Sequence, residues 1–268
     1  MQSSLASVRK PAVAGLFYPA AARVLAAEVD GLLATATPVA DPVPKALIVP
    51  HAGFPYSGPI AASAYARLRP ARDTIRRVVL LGPAHRDWFE GLALPSVDAF
   101  RTPLGDIPID QEAVKALHAL PQVTVRDDAH KAEHSLEVHL PFLQRLLPAF
   151  SLVPLAVGEA SADEVAEALA VVWGGPETVI VISSDLSHYQ EYETARSTDS
   201  ATAEAIERLD GAFLDGHRAC GFIPIRGLLR ETARRGLRVV RADLRNSGDT
   251  AGGRKEVVGY GAWTVSER

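Results

Sequence analysis

Strands alternating with helices predict an α/β protein, a three-layer α/β/α sandwich around a central mixed, largely parallel sheet. Two observations carry that prediction. Short continuous apolar runs rich in β-branched residues, at 46–49, 77–81, 152–157 and 178–182, read as strands buried on both faces rather than one. Between them lie alanine- and leucine-rich stretches with helical spacing. A length of 268 residues suits one sizeable core, and the whole chain, 1–268, is expected to form a single domain.

In chain order, residues 22–34 show helical spacing, and 41–44, with Pro42 and Pro44, read as a connection. The strand at 46–49 runs into Pro50-His51-Ala52-Gly53, and 60–68 then read as helix. Residues 77–81 repeat the strand pattern and end at Gly82-Pro83. Residues 110–120 look helical with Asp110 as N-cap, and 133–147 look helical with Pro141 marking a break or a late start. A strand at 152–157, a helix at 162–172 and the clearest strand, 178–182, follow. Helices at 195–209 and 223–235 come next, the second closed by Gly236 in the C-cap position. Strands at 239–244 and 257–265 close the chain. No internal repeat, low-complexity tract or linker interrupts this order.

Composition excludes several functions. The net charge is −4, and the densest basic stretch, Arg234-Arg235 with Arg238 and Arg241, reads as a solvated helix end rather than a nucleic-acid or membrane surface. No apolar run approaches a bilayer span, and residues 1–5 lack the shape of a signal peptide. The single cysteine, Cys220, cannot form an internal disulfide, which fits a reducing cytoplasm.

In open α/β sheets, ligands bind beyond the carboxyl ends of the strands. His51, His85 and Asp185 each lie just past such an end. His51 and His85 are 34 residues apart, so only the fold can bring them together. Each follows a proline-containing turn, and Gly53 and Gly82 would allow close backbone approach. Neutral imidazoles are common ligands of iron, copper and zinc, although a loop histidine taken alone is also an ordinary hydrogen-bonding residue. Cys220 precedes a helix start and has Arg218 nearby, which favours thiolate; the competing reading is a small buried hydrophobe. Asp185 and His188 are three residues apart and would share a face if a helix starts there. His188 could then act as acid/base with Asp185 orienting it, or Ser184 or Asp185 could simply cap the helix.

His130-Lys131-Ala132-Glu133-His134 matches H-x-x-E-H, a zinc hydrolase pattern. The preceding Arg126-Asp127-Asp128 looks like loop, which spoils the i,i+4 geometry, and His134 and His139 would lie roughly 140° apart on a helix. No G-x-G-x-x-G, Walker A or G-x-S-x-G pattern appears, although Ser57 and Ser183 lie near strand ends.

Six segments together resemble the Memo family. They are Arg9-Lys10-Pro11-Ala12-Val13-Ala14-Gly15-Leu16-Phe17-Tyr18-Pro19; Val49-Pro50-His51-Ala52-Gly53-Phe54-Pro55-Tyr56-Ser57-Gly58; Leu81-Gly82-Pro83-Ala84-His85; Glu133-His134-Ser135-Leu136-Glu137-Val138-His139-Leu140-Pro141-Phe142; Ser183-Ser184-Asp185-Leu186-Ser187-His188-Tyr189; and Cys220-Gly221-Phe222-Ile223-Pro224-Ile225. The resemblance runs nearly end to end. It implies the fold of class III extradiol dioxygenases, the LigB-like enzymes that hold non-haem Fe(II) with two histidines and a glutamate. By that resemblance His51 and His85 are metal ligands, and Cys220 stands where the dioxygenases carry glutamate. That departure widens the metal choice from Fe(II) toward copper, with zinc less expected. The resemblance further implies His188 as acid/base, Asp185, Tyr56 and Phe17 lining the pocket, and Glu133 and His134 beside it or supporting the ligands. It also implies prokaryotic partners, an AMMECR-type protein and a radical-SAM protein, as in the AmmeMemoRadiSam system. The expectation is an iron- or copper-dependent oxidoreductase acting on a small molecule or peptide. The alternatives are a non-catalytic peptide- or partner-binding or metal-sequestering module and, behind it, a zinc hydrolase.

Overall fold

The computed structural model describes residues 7–37 and 42–267; Asp41 and the N-terminal residues 1–5 discussed above lie outside the described residues. In chain order the elements are β1 (Val8–Arg9), α1 (Ala22–Thr35), β2 (Ala46–Val49), α2 (Phe54–Tyr65), β3 (Arg77–Pro83), β4 (Leu92–Leu94), β5 (Ala99–Thr102), β6 (Gly105–Pro108), α3 (Gln111–Leu117), β7 (Val123–Val125), α4 (Asp127–Lys131), α5 (Leu140–Leu146), β8 (Ser151–Val157), α6 (Ala162–Val172), β9 (Thr178–Ser183), α7 (Tyr192–Glu207), α8 (Phe222–Arg234), β10 (Arg238–Asn246) and β11 (Gly259–Ser266).

The eight-stranded main sheet has the order β10-β11-β2-β9-β3-β8-β4-β7. Its centre, β2-β9-β3-β8, is parallel throughout. The antiparallel pairs lie outside that centre, where β11 meets β2 and β10, and where β4 meets β8. The central strands are apolar on both faces, as the continuous runs predict. Leu47, Val49, Val78, Leu80, Val179 and Val181 pack with α1, α2 and α5. Ile48, Val79, Leu81, Ile180 and Ile182 pack with α3, α6, α7 and α8 on the other face. The result is the three-layer α/β/α sandwich expected from the sequence. Among the described residues, no helix is long and apolar enough to cross a membrane.

Register fixes where function can sit. Val49 of β2 pairs with Ser183 of β9, and Ile182 pairs with Leu81 of β3, so the three carboxyl ends are level. His51, Asp185 and His85 each follow one of those ends within a few residues.

Several boundaries differ from expectation. The helix expected at 60–68 begins at Phe54, with Pro55 in its first turn, where a missing N–H costs nothing. The helix expected across 133–147 starts late, at Leu140, and Pro141 again sits in the first turn after a short 3₁₀ stretch. Beyond the predicted strands, β4 and β7 extend the main sheet, and β1, β5 and β6 form a separate three-stranded sheet. These five are two to four residues long, too short for a period to show. No helix starts at 184–189. Asp185 and His188 therefore share no helical face, and neither Ser184 nor Asp185 is a cap.

The capping box on α6 is complete: Ser161 Oγ accepts from Glu164 N, and the Glu164 carboxylate accepts from Ser161 N. Ser161→Ala should lower stability by about 1 kcal/mol in urea unfolding, while leaving metal content unchanged because Ser161 Oγ bonds within its own capping box and not to the strand-end histidines.

Candidate metal centre

His51, His85 and His134 converge. One ring nitrogen from each lies within 4.8 Å of those of the other two. The His85 and His134 rings stack at 4.7 Å, and the His51 ring meets both edge-on, at 5.2 and 5.4 Å. His51 is buried, His134 half-buried and His85 open to solvent, so the cluster has a floor and a mouth.

Each ligand candidate is aimed by a buried partner. His51 donates its backbone N–H to Asp185 Oδ1 at 2.8 Å, and its Nδ1 pairs with Ser183 Oγ at 2.6 Å, which leaves Nε2 toward the cluster. His85 pairs its Nδ1 with Glu133 Oε1 at 2.9 Å and donates its backbone N–H to Oε2 at 2.6 Å. Burial opposes ionisation of Glu133, but hydrogen bonds from the His85 side chain, the His85 charge and backbone donors bring its carboxyl down to about 2. Glu133 is thus an orienting carboxylate for a ligand histidine. The same carboxylate accepts from the backbone N–H groups of His134 and Ser135.

The N-terminal segment closes over this floor. Glu137, fully buried, accepts from the Arg9 guanidinium, the backbone N–H groups of Ala12 and Val13, and the Tyr18 hydroxyl. Pinned in this way, the segment sets the Phe17 ring 4.9 Å from His134, with the Phe17 carbonyl accepting from Phe54 N. Gly82 is needed for the approach beneath, since a Cβ there would meet Ser135 Oγ at 2.8 Å. Gly53 is not: its φ is −58° and a Cβ would make ordinary contacts.

Cys220 reaches His51 but lies outside the three-histidine group. Its Sγ is 3.5 Å from His51 Nε2 and accepts from Asp185 N at 3.2 Å. The expected thiolate is not what the metal-free environment favours: burial, then the Asp185 charge, push the thiol up to about 12. Arg218 does not help, because its guanidinium lies over Phe213, 4.0 Å from the ring centroid. A bound cation reverses that preference, since coordination deprotonates a thiol.

Asp185 is buried, with Oδ2 4.0 Å from His51 Nε2, and burial raises its carboxyl to about 7 against the donation from the His51 and Ala52 backbone. His188 is half-buried on the same loop, its pKa lowered by burial, opposed by the Leu186 carbonyl and lowered further by His85. Tyr56 stands exposed at the start of α2. His130 is elsewhere: its Nε2 bonds the Ala93 carbonyl at 2.9 Å and its ring lies against Phe100. With Glu133 committed to His85, the H-x-x-E-H zinc geometry does not form.

The donor set fits a metal ion. Burial holds His51 well below its ordinary pKa and brings His134 down to about 4, so both are neutral imidazoles with lone pairs available. His134 Nδ1 is buried and makes no hydrogen bond among the described residues, although Glu133 Oε1 lies 3.3 Å from it. Together, these features define an α/β/α protein with a three-histidine cluster, a candidate metal site, at the carboxyl ends of its parallel strands.

The Memo-like protein family model matches residues 9–264, and the chain belongs to the Memo family. A MEMO1 family protein of Aquifex aeolicus (strain VF5) is 37% identical over 264 residues, covering 94% of this chain and 97% of the relative. One from Methanococcoides burtonii is 36% identical over 273 residues, covering 96% of this chain and 100% of the relative. A solved structure of an uncharacterized protein from Escherichia coli K12 is similar in fold, with a TM-score of 0.52 at 16% identity, covering 81% of this chain and 98% of that one.

Sequence reasoning gave no role to Glu137, His139 or Tyr260, and noted Ser183 only as lying near a strand end. Tyr260 is 2% exposed. Its pKa is raised by burial, then by the charge of Asp185 and by Tyr56 and Tyr189, so that four groups from three segments act on one another here. The available signal was alternation: Glu133, Ser135, Glu137 and His139 are buried polar residues at every second position.

Asp199 on α7 supports the Asp185–His188 loop by accepting from Ser187 N at 3.1 Å. Burial raises its carboxyl to about 6 despite that bond. A folded-state pKa above the unfolded value favours the fold at low pH, and that contribution is lost as pH rises from about 4 to 6. Asp199→Asn should therefore flatten the fall in stability across this window, read as urea midpoints at successive pH values.

Proposed function

We propose that this Memo-family chain is an iron- or copper-dependent oxidoreductase. The observation that carries the reading is the convergence of three imidazoles, two of them with pKa values lowered by burial, with His51 Nε2 in contact with the Cys220 thiol. His51, His85 and Cys220 are the proposed ligands and His134 a fourth donor on the same space. Three imidazoles and one thiol are softer than a carboxylate set, which suits Cu(I) or Fe(II) and leaves zinc less favoured. Bound there, the ion would supply Lewis acidity and one-electron chemistry. The chain's own residues do the rest. His188, neutral at pH 7, can accept a proton from a substrate hydroxyl entering past His85. Asp185 fixes the His51 backbone and can hold a proton near neutral pH. Phe17 and Tyr56 form the walls. A reducing cytoplasm, which rests on the single cysteine, and association with AMMECR-type and radical-SAM proteins, which rests on the family resemblance, belong to the same proposal.

A second reading has its own support. Leu16, Tyr56, Trp88 and Tyr189 are large exposed apolar side chains, Tyr56 in the first turn of α2 and the other three on segments next to site residues. Such a rim suits recognition of a peptide or protein, with the metal sequestered rather than turned over.

Elemental analysis of protein purified without added metal should find iron or copper near one equivalent, and the His51→Ala, Cys220→Ser double variant should lose it. Stoichiometric Fe(II) or Cu(I) in the double variant would overturn the ligand assignment. Oxygen uptake by the iron-loaded protein, offered a panel of catechols, separates the two readings: sustained turnover is expected for the enzyme, and silence with tight Cu(I) binding would favour sequestration.

A further inference from the structure

A buried chain of four side chains lies behind the cluster. Ser183 Oγ sits 2.6 Å from His51 Nδ1, 2.8 Å from His139 Nε2 and 2.6 Å from the Ser135 carbonyl. His139 Nδ1 is in turn 2.9 Å from the Tyr65 hydroxyl. Ser135, Ser183, His139 and Tyr65 are all buried, and burial holds His139 neutral, down to about 3.

Hydrogen counting leaves one arrangement. A serine hydroxyl has a single hydrogen and two lone pairs. The Ser135 carbonyl can only accept, so it takes the Ser183 hydrogen. Both histidines must then donate to the two lone pairs of Ser183 Oγ, His51 through Nδ1–H and His139 through Nε2–H. His139 Nδ1 is left as an acceptor, and Tyr65 O–H is the donor it faces. Any other assignment leaves two lone pairs or two hydrogens facing each other in the interior, where unmet polar groups are costly.

We propose that Ser183, His139 and Tyr65 are positioning residues that lock His51 in the Nδ1–H tautomer, so that its Nε2 lone pair is presented to the metal-binding space before any ion arrives. None of the three touches that space. The lock stands on hydrogen-bond geometry alone; only its effect on affinity rests on the function proposed above.

The test is a long-range ¹H–¹⁵N correlation spectrum of the histidine rings in metal-free protein. His51 should show a protonated Nδ1 and a bare Nε2, and His139 the opposite. Ser183→Ala should give His51 a substantial Nε2–H population and weaken Cu(I) binding ~10- to 100-fold, the range for losing a ligand's outer partner. His139→Gln should preserve the His51 tautomer, because the Gln amide can donate to Ser183 and accept from Tyr65, whereas His139→Leu should not. A purely structural role would let Gln and Leu behave alike. The proposal is wrong if wild-type His51 carries its proton on Nε2, or if its ring pattern is the same in wild type and Ser183→Ala. The wild-type spectrum decides even where a variant fails to fold. If Cu(I) does not bind the wild type while the tautomers are as stated, the proposed function fails and the lock stands.

Discussion

Buried polar groups must be satisfied, and in this protein that constraint falls on one segment, Glu133–His139, which lies across the ends of β3 and β9. Four of its side chains point inward. Glu133 orients His85, Ser135 tethers the Pro83 carbonyl at 2.8 Å, Glu137 holds the N-terminal segment, and His139 backs Ser183. Between them these bonds tie together β3, β9, α2 and the segment carrying Phe17. The geometry of the three-histidine cluster is a consequence of that tying more than of the histidines themselves.

The sheet supplies the other half. Parallel strands with level carboxyl ends bring His51 and His85 together from positions 34 residues apart in the chain. Close approach of the Cys220 loop then needs Gly221, where a Cβ would sit 2.4 Å from the Ser183 carbonyl. The cluster is crowded, low in positive charge and short of hydrogen-bond partners at His134 Nδ1. Three imidazoles so close would repel one another if protonated, and burial removes that conflict by keeping His51 and His134 neutral. What remains is a set of lone pairs facing one point, a state a cation stabilises.

Much of this was legible in the residues. The continuous apolar runs gave the central strands nearly to the residue, because burial on both faces leaves no alternation to misread. The strand-end histidines followed from the same pattern. Helix starts at prolines were harder: α2 and α5 carry proline in their first turns, where it is tolerated, and the reading of α2 moved past it. The role of His134 was obscured for a different reason. Placing it on a helix put it out of line with its neighbours, whereas the chain around it is irregular until 137. Cys220 lies beside His51, and burial and Asp185 push its thiol up, against the helix-end electrostatics that the sequence suggests. The tyrosine and serine partners carry no signature of their own, since hydroxyls of that kind occur throughout any chain.

The central claim is that the three-histidine cluster and Cys220 form a metal centre. X-ray absorption at the iron and copper edges of protein purified without added metal tests it most directly. The claim predicts an edge well above background, with outer-shell scattering from at least two imidazoles and a sulfur in the first shell. An edge with only oxygen neighbours and no imidazole scattering, or no metal edge at all after anaerobic loading with Fe(II) and Cu(I), would contradict it.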